Sequence, residues 1–372
     1  MKKAVLILFL SVSAAFLLSF SVSANEYYDF SELKESVSED IFESMTDDTR
    51  AAFNALGISD LSFDKLYKVS LKSLLTYFTP EIKDKLKNVF SSFFELFSTV
   101  LILSAFGVLT QGAGINNTLM LFGSAVIVLL TFGNISDVIN SCLSVIKLSA
   151  GFMASYVPVF TLIISFSGNP ASALVYNSFV LGLTEVMSVV IGGGLVDFIG
   201  CFLCLAISFS FNEILNTNKL INVANKITTI VLGISGSLFS GILTVKNIMA
   251  VSLDGLSVKG VRFLLSSFIP VIGSSISEAY SSVLGSINLI KGSVAAIGIL
   301  AVVIINLPVI VEASMYYFSL SALSYIAEIT GCNQISILFR AICCAVRIML
   351  LIVIFQMFLL VISTGIMLTY RS

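Results

Sequence analysis

The chain contains no histidine and no tryptophan, and only five of its 372 residues are proline. Histidine is the commonest general base and the commonest metal ligand. Its absence excludes Ser-His-Asp and Cys-His catalytic arrangements and the usual zinc patterns. Charge is scarce too: 11% of residues are Asp, Glu, Lys or Arg, against roughly 25% in soluble domains. The net charge is −2, and no basic stripe with interleaved aromatics is present, which argues against a nucleic-acid partner. Gly192-Gly193-Gly194 lacks the trailing Gly-Lys-Ser/Thr of a nucleotide loop. The expectation is a protein without covalent catalysis, cofactor or metal.

What the chain has in abundance is apolar sequence. Hydrophobic residues make up 57% of it, and the mean hydropathy is +1.03. That implies an all-α, polytopic transmembrane helical bundle with the lipid bilayer as its surroundings. The six cysteines lie mostly in apolar runs and outside the polar N-terminal region, so they read as buried thiols and not as a disulfide framework. Cys201-Phe202-Leu203-Cys204 has redox spacing but sits inside an apolar helix.

Residues 1–24 read as a signal peptide: Lys2 and Lys3, an apolar core, then Val22-Ser23-Ala24 before a cleavage point. An uncleaved anchor helix is the alternative. Residues 25–90 form a polar and amphipathic helical region expected outside the cytoplasm, with Pro80 ending its helix. Residues 91–137 hold the first transmembrane helices, with separate spans at Ser92–Thr110 and Leu119–Phe132. Residues 138–251 and 252–372 read as two membrane repeats.

The duplication rests on two matched stretches. Phe152-Met153-Ala154-Ser155-Tyr156-Val157-Pro158-Val159 aligns with Leu264-Leu265-Ser266-Ser267-Phe268-Ile269-Pro270-Val271. A lysine, Lys147 or Lys259, precedes each proline by eleven residues. Proline removes a backbone donor and clashes one turn back, so each stretch is expected to be a proline-broken or re-entrant helix. Each lysine lies roughly 16 Å along the axis from its proline, about half a bilayer. The plainer reading is a kinked packing helix with a snorkelling lysine. The repeats are parallel if each broken element crosses fully and inverted if the first is a hairpin. Paired broken repeats are a transporter architecture.

Ionisable residues in apolar runs are functional candidates by default. Glu185 lies in mid-span, where a transport role and a salt bridge to another helix are equally open. Glu278 follows Pro270 in a Ser-rich run and faces either a polar cavity or the interface. The candidate pore or broken-helix residues are therefore Lys147, Ser155, Pro158, Glu185, Lys259, Ser267, Pro270 and Glu278. Glu95, Asp197, Lys291, Glu312 and Arg347 read as interface residues at segment ends.

The stretch Ser257-Val258-Lys259-Gly260-Val261-Arg262-Phe263, continuing through Phe268-Ile269-Pro270-Val271-Ile272-Gly273 to Val283-Leu284-Gly285-Ser286, resembles a characteristic block of the stage III sporulation protein AE family. The resemblance extends from about residue 60 onward. It implies a mother-cell membrane component of the channel linking mother cell and forespore during endospore formation. The implied partners are ring-forming membrane proteins, a secretion-type ATPase and a forespore membrane protein. The alternative from the residues themselves is a secondary transporter of a small solute.

Overall fold

The computed structural model describes the backbone of residues 45, 47–55, 71–109, 116–189, 194, 196–210, 216–268 and 273–369. Among these there are eight helices and no strand. In chain order they are α1 (Asp47–Ala55), α2 (Leu71–Leu109), α3 (Asn116–Phe166), α4 (Pro170–Val189), α5 (Val196–Ser210), α6 (Thr217–Phe268), α7 (Gly273–Ile329) and α8 (Asn333–Thr369). The expected signal peptide lies outside the described residues, as does most of the acidic segment after it.

Five helices carry stretches long and apolar enough to cross a membrane: Ile82–Leu109, Thr118–Phe166, Thr217–Gly241, Ile287–Ile329 and Asn333–Gly365. The protein is thus a multi-pass helical membrane protein. The α7 stretch is its pillar, with 78% of its most apolar window buried inside the protein, against 17% for α2 and α6. Helix α7 packs most extensively on α8, and α3 packs on both. Large apolar side chains point outward from the peripheral helices, among them Phe94, Phe106, Phe122, Leu129, Leu162 and Leu174. An outward apolar face suits hydrocarbon, where burying it gains little.

Polar pins join the three central helices. The Tyr156 hydroxyl donates to the Val294 carbonyl at 3.1 Å. The Asn306 amide donates to Ser149 Oγ at 2.9 Å, and the Gln356 amide donates to the Ile146 carbonyl at 3.1 Å. Water is absent from hydrocarbon, so each of these donors gains by a protein acceptor, while the side-chain oxygens of Asn306 and Gln356 are buried without a partner among the described residues. A bond of this kind contributes about 0.6 kcal/mol on average and up to about 1.7.

Two reversals follow local chemistry that the sequence announces. Gly168 ends α3 at φ 86°, Asn169 N–H returns to the Ile164 carbonyl at 3.3 Å, and Pro170 opens α4. Gly331 does the same after α7 at φ 80°, with Cys332 N–H on the Ala327 carbonyl at 2.8 Å. Glycine reaches this left-handed conformation without steric cost, which makes it the usual residue after a helix end.

Elsewhere the helices run on where breaks were expected. Helix α3 continues through Pro158, and α2 continues through Pro80. The span expected at Leu119–Phe132 and the start of the repeat expected at residue 138 are one helix. The segment boundaries after residues 90, 137 and 251 accordingly fall inside α2, α3 and α6. A glycine costs a helix only about 1 kcal/mol and an aspartate less, so packing decides.

At Pro158 the balance can be worked out. An interior proline costs about 3 kcal/mol. Phe152, Tyr156, Phe160 and Tyr176 form a buried aromatic ladder with centroid spacings of 5.4, 5.5 and 5.2 Å. Three such pairs contribute roughly 1.5–4.5 kcal/mol together, and the Tyr156 hydrogen bond adds to it. Tyr156 ties α3 to α7 just before the proline, and Phe160 ties it to α4 just after. Pro158 itself and Ala154, one turn back, are exposed on the outer face, away from this packing. Pro270 falls between α6 and α7, outside the described residues.

Candidate functional site

The candidate residues on α3 do not converge on a cavity. Lys147, Ser155 and Pro158 are all exposed and share one outward stripe, which also carries Gly151 and Leu162. Their spacing of three and four residues places them opposite Val145, Ile146, Ser149, Phe152 and Tyr156, which are buried. Glu185 is exposed on α4. Lys259 and Ser267 fall on α6 and Glu278 on α7, but their side chains lie outside the described residues. The residues expected at segment ends divide differently. Glu312 pairs with Lys85 of α2 at 2.8 Å, both groups part-buried, while Lys291 is buried in the core.

A polar cavity of about 640 Å³ forms instead where α6, α7 and α8 meet. The opening turns of α6 contribute Asn218, Asn222 and Asn225. The closing turns of α7 contribute Tyr317, Ser321, Ser324 and Glu328. Helix α8 contributes Arg340, Cys343, Cys344 and Arg347. On α6 and α7 these residues recur at steps of three or four, and on α8 the adjacent Cys343 and Cys344 lie each three or four residues from Arg340 and Arg347, so each helix presents one polar stripe to the same space.

Local structure sets the geometry. The Asn216 side-chain oxygen caps α6 by accepting the Lys219 N–H at 3.1 Å. The Gly331 turn folds α8 back along α7, which brings Arg340 beside Glu328 as an ion pair. Arg340 Nε also donates to Ser324 Oγ at 3.4 Å. Deeper along α8, Arg347 donates to the side-chain oxygen of Asn225, 122 residues away in sequence. Cys344 Sγ donates to the same oxygen at 3.3 Å. Cys332 lies in the turn between two spans. Burial pushes its thiol above the ordinary value, opposed by a hydrogen bond with the Thr330 side chain.

The charges do not cancel. Two guanidinium groups line the cavity against one carboxylate. Glu328 is committed to Arg340, and among the described residues no carboxylate lies within 4.0 Å of Arg347. Arg347 is only partly exposed, and its partners are a neutral amide and a thiol. The set offers positive charge and hydrogen-bond donors, and Cys343 and Cys344 are its only thiols. Among the described residues no group of three or more Cys, Asp or Glu gathers as a metal site.

By sequence Arg347 reads as an interface residue at a segment end, and Asn225, Glu328 and Arg340 carry no signal of their own. That they meet was missed. The usable signal was the shared three-four spacing of Asn218, Asn222 and Asn225 with Tyr317, Ser321, Ser324 and Glu328.

Comparison with known proteins gives the following. Residues 55–370 match the family model for stage III sporulation protein AE. A relative from Bacillus subtilis (strain 168), named stage III sporulation protein AE, is 23% identical over 174 residues, covering 47% of this chain and 44% of the relative. The match thus spans less than half the length of that relative. No solved structure matches.

Proposed function

Since this chain belongs to the stage III sporulation protein AE family, we propose that it is an integral membrane component of the channel apparatus between mother cell and forespore. Membership and the five apolar helices make it a membrane protein of sporulation. Within the channel it acts as a membrane platform or pore element, without covalent chemistry. The observation that carries this reading is the family match, which covers all five candidate spans. The protein resides in the mother-cell membrane around the forespore, with its N-terminal region extracytoplasmic. Its partners are ring-forming membrane proteins, a secretion-type ATPase and a forespore membrane protein. The matched stretches around Pro158 and Pro270 support an internal duplication by sequence. The outward stripe of Lys147, Gly151, Ser155 and Pro158 is then a face for lipid or for a partner helix.

The transporter alternative drew on two broken helices lining a path. Helix α3 is unbroken at Pro158 and its candidate residues face outward, so no observation favours that reading over the first.

The test is deletion of the gene in its own host, scored by heat-resistant spores, with complementation by the intact gene. The proposal expects spore counts to fall by orders of magnitude and to recover on complementation. Normal spore counts overturn it. Topology is checked by single cysteines. One at Asp40 is labelled from outside, and one at Asn222 is not; the reverse pattern overturns the orientation.

A further inference from the structure

We propose that the cavity between α6, α7 and α8 binds a phosphate anion, and that its physiological occupant is the phosphate headgroup of an anionic lipid. Arg347 supplies the charge, with Asn222 and Ser321 as hydrogen-bonding neighbours in the same cavity. Nothing in the sporulation reading requires such a site.

The argument begins with what the cavity leaves unbalanced. A cation at membrane depth is costly unless it is answered by an anion or reaches water. Arg340 has its answer in Glu328 and Ser324. Arg347 is held by Asn225 and Cys344, neither of which carries negative charge. Its guanidinium has five donors in a planar fork, and the bonds to Asn225 and Cys344 leave others for a ligand. The surplus is one positive charge, which matches a phosphodiester monoanion.

Size and place agree with a lipid. The volume of about 640 Å³ falls within the roughly 300–1,000 Å³ typical of ligand sites. The cavity lies at the start of α6 and at the reversal from α7 to α8, where the apolar stretches begin and end. Lys219 and Lys226, exposed on α6, add positive charge on the same short helical segment. Basic pockets between helices at a membrane edge suit anionic headgroups. Ile221 and Tyr325 give the wall an apolar surface for the glycerol and upper acyl region.

The decisive variant is Asn225→Asp. It is nearly isosteric and keeps an oxygen for Arg347 and Cys344, but it neutralises Arg347 from within. Full-length protein in nanodiscs is compared in phosphatidylglycerol and in phosphatidylcholine, with bound lipid counted by native mass spectrometry. The wild type is expected to retain phosphatidylglycerol at least tenfold over phosphatidylcholine. Asn225→Asp is expected to lose that preference while keeping its thermal stability. Glu328→Gln, which frees Arg340, is expected to strengthen it. Inorganic phosphate added at millimolar concentration separates the sources: if it displaces the lipid and binds alone, the same anion site serves a soluble phosphate compound. If it does not compete, the occupant is lipid. Arg347→Ala is a second variant with the same expected loss. An unchanged lipid preference in stable Asn225→Asp protein, or no preference in the wild type, overturns the proposal.

Discussion

Gly298→Ala tests the packing of α7 on α3 at its tightest point. An added Cβ at Gly298 falls 2.3 Å from Tyr156 Cζ and 2.5 Å from its hydroxyl. Such contacts force a shift, and Tyr156 has nowhere to go. It is wholly buried, stacked between Phe152 and Phe160, and tied to the Val294 carbonyl. Overpacking costs about 1–3 kcal/mol, and loss of the hydrogen bond costs about 0.6–1.7. Replacing glycine by alanine inside a helix returns about 1 kcal/mol. The net expectation is a loss of about 1–3 kcal/mol, measured by denaturant titration in mixed micelles. Gly133→Ala and Gly233→Ala are the controls, because an added Cβ meets nothing within 4 Å at either place. They should be neutral or gain up to about 1 kcal/mol. In a Tyr156→Leu background the cost of Gly298→Ala should shrink by at least about 1 kcal/mol, the coupling expected of touching residues. A Gly298→Ala protein as stable as the controls, or strict additivity with Tyr156→Leu, refutes the packing argument.

Three further outcomes follow from the same contacts. Lys85→Met should destabilise by about 1–3 kcal/mol by removing the Lys85 bond from the part-buried Glu312 carboxylate, while Lys85→Met with Glu312→Leu should recover most of that loss; the double-mutant cycle in detergent measures it. Pro158→Ala should stabilise α3 by up to about 3 kcal/mol, since the helix already runs through this position; a loss of stability would show that the proline is structurally required. A membrane-permeant maleimide should label exposed Cys201 and Cys204 and spare buried Cys142 and Cys332, as read by mass spectrometry of the folded protein.

The membrane class was legible because it depends on composition, and hydrocarbon leaves few ways to satisfy a backbone. The α3–α4 reversal was legible because Gly168, Asn169 and Pro170 each act locally. Continuity through Pro158 and Asp137 was not. The local cost there is a few kcal/mol at most, and α3 recovers it from residues far along the chain, such as Val294 and Gly298 of α7. The cavity was hidden for the same reason. Arg340 and Glu328 are twelve residues apart and face each other only because Gly331 reverses the chain. Asn225 and Arg347 belong to different helices, and no local pattern links them. Lys147, Ser155 and Pro158 are candidate pore or broken-helix residues by sequence because a proline and a lysine stand in an apolar run, and that pattern carries no direction for the face they share. Which way that face turns is fixed by the aromatic ladder on the opposite side.

The proposed place of this protein in the sporulation channel is tested most directly by affinity purification of the tagged, full-length chain from membranes of sporulating cells, after cross-linking. The account predicts co-purification of ring-forming membrane proteins and a secretion-type ATPase, together with the forespore membrane partner. Recovery of the chain with none of these, from cells that are forming spores, would contradict it.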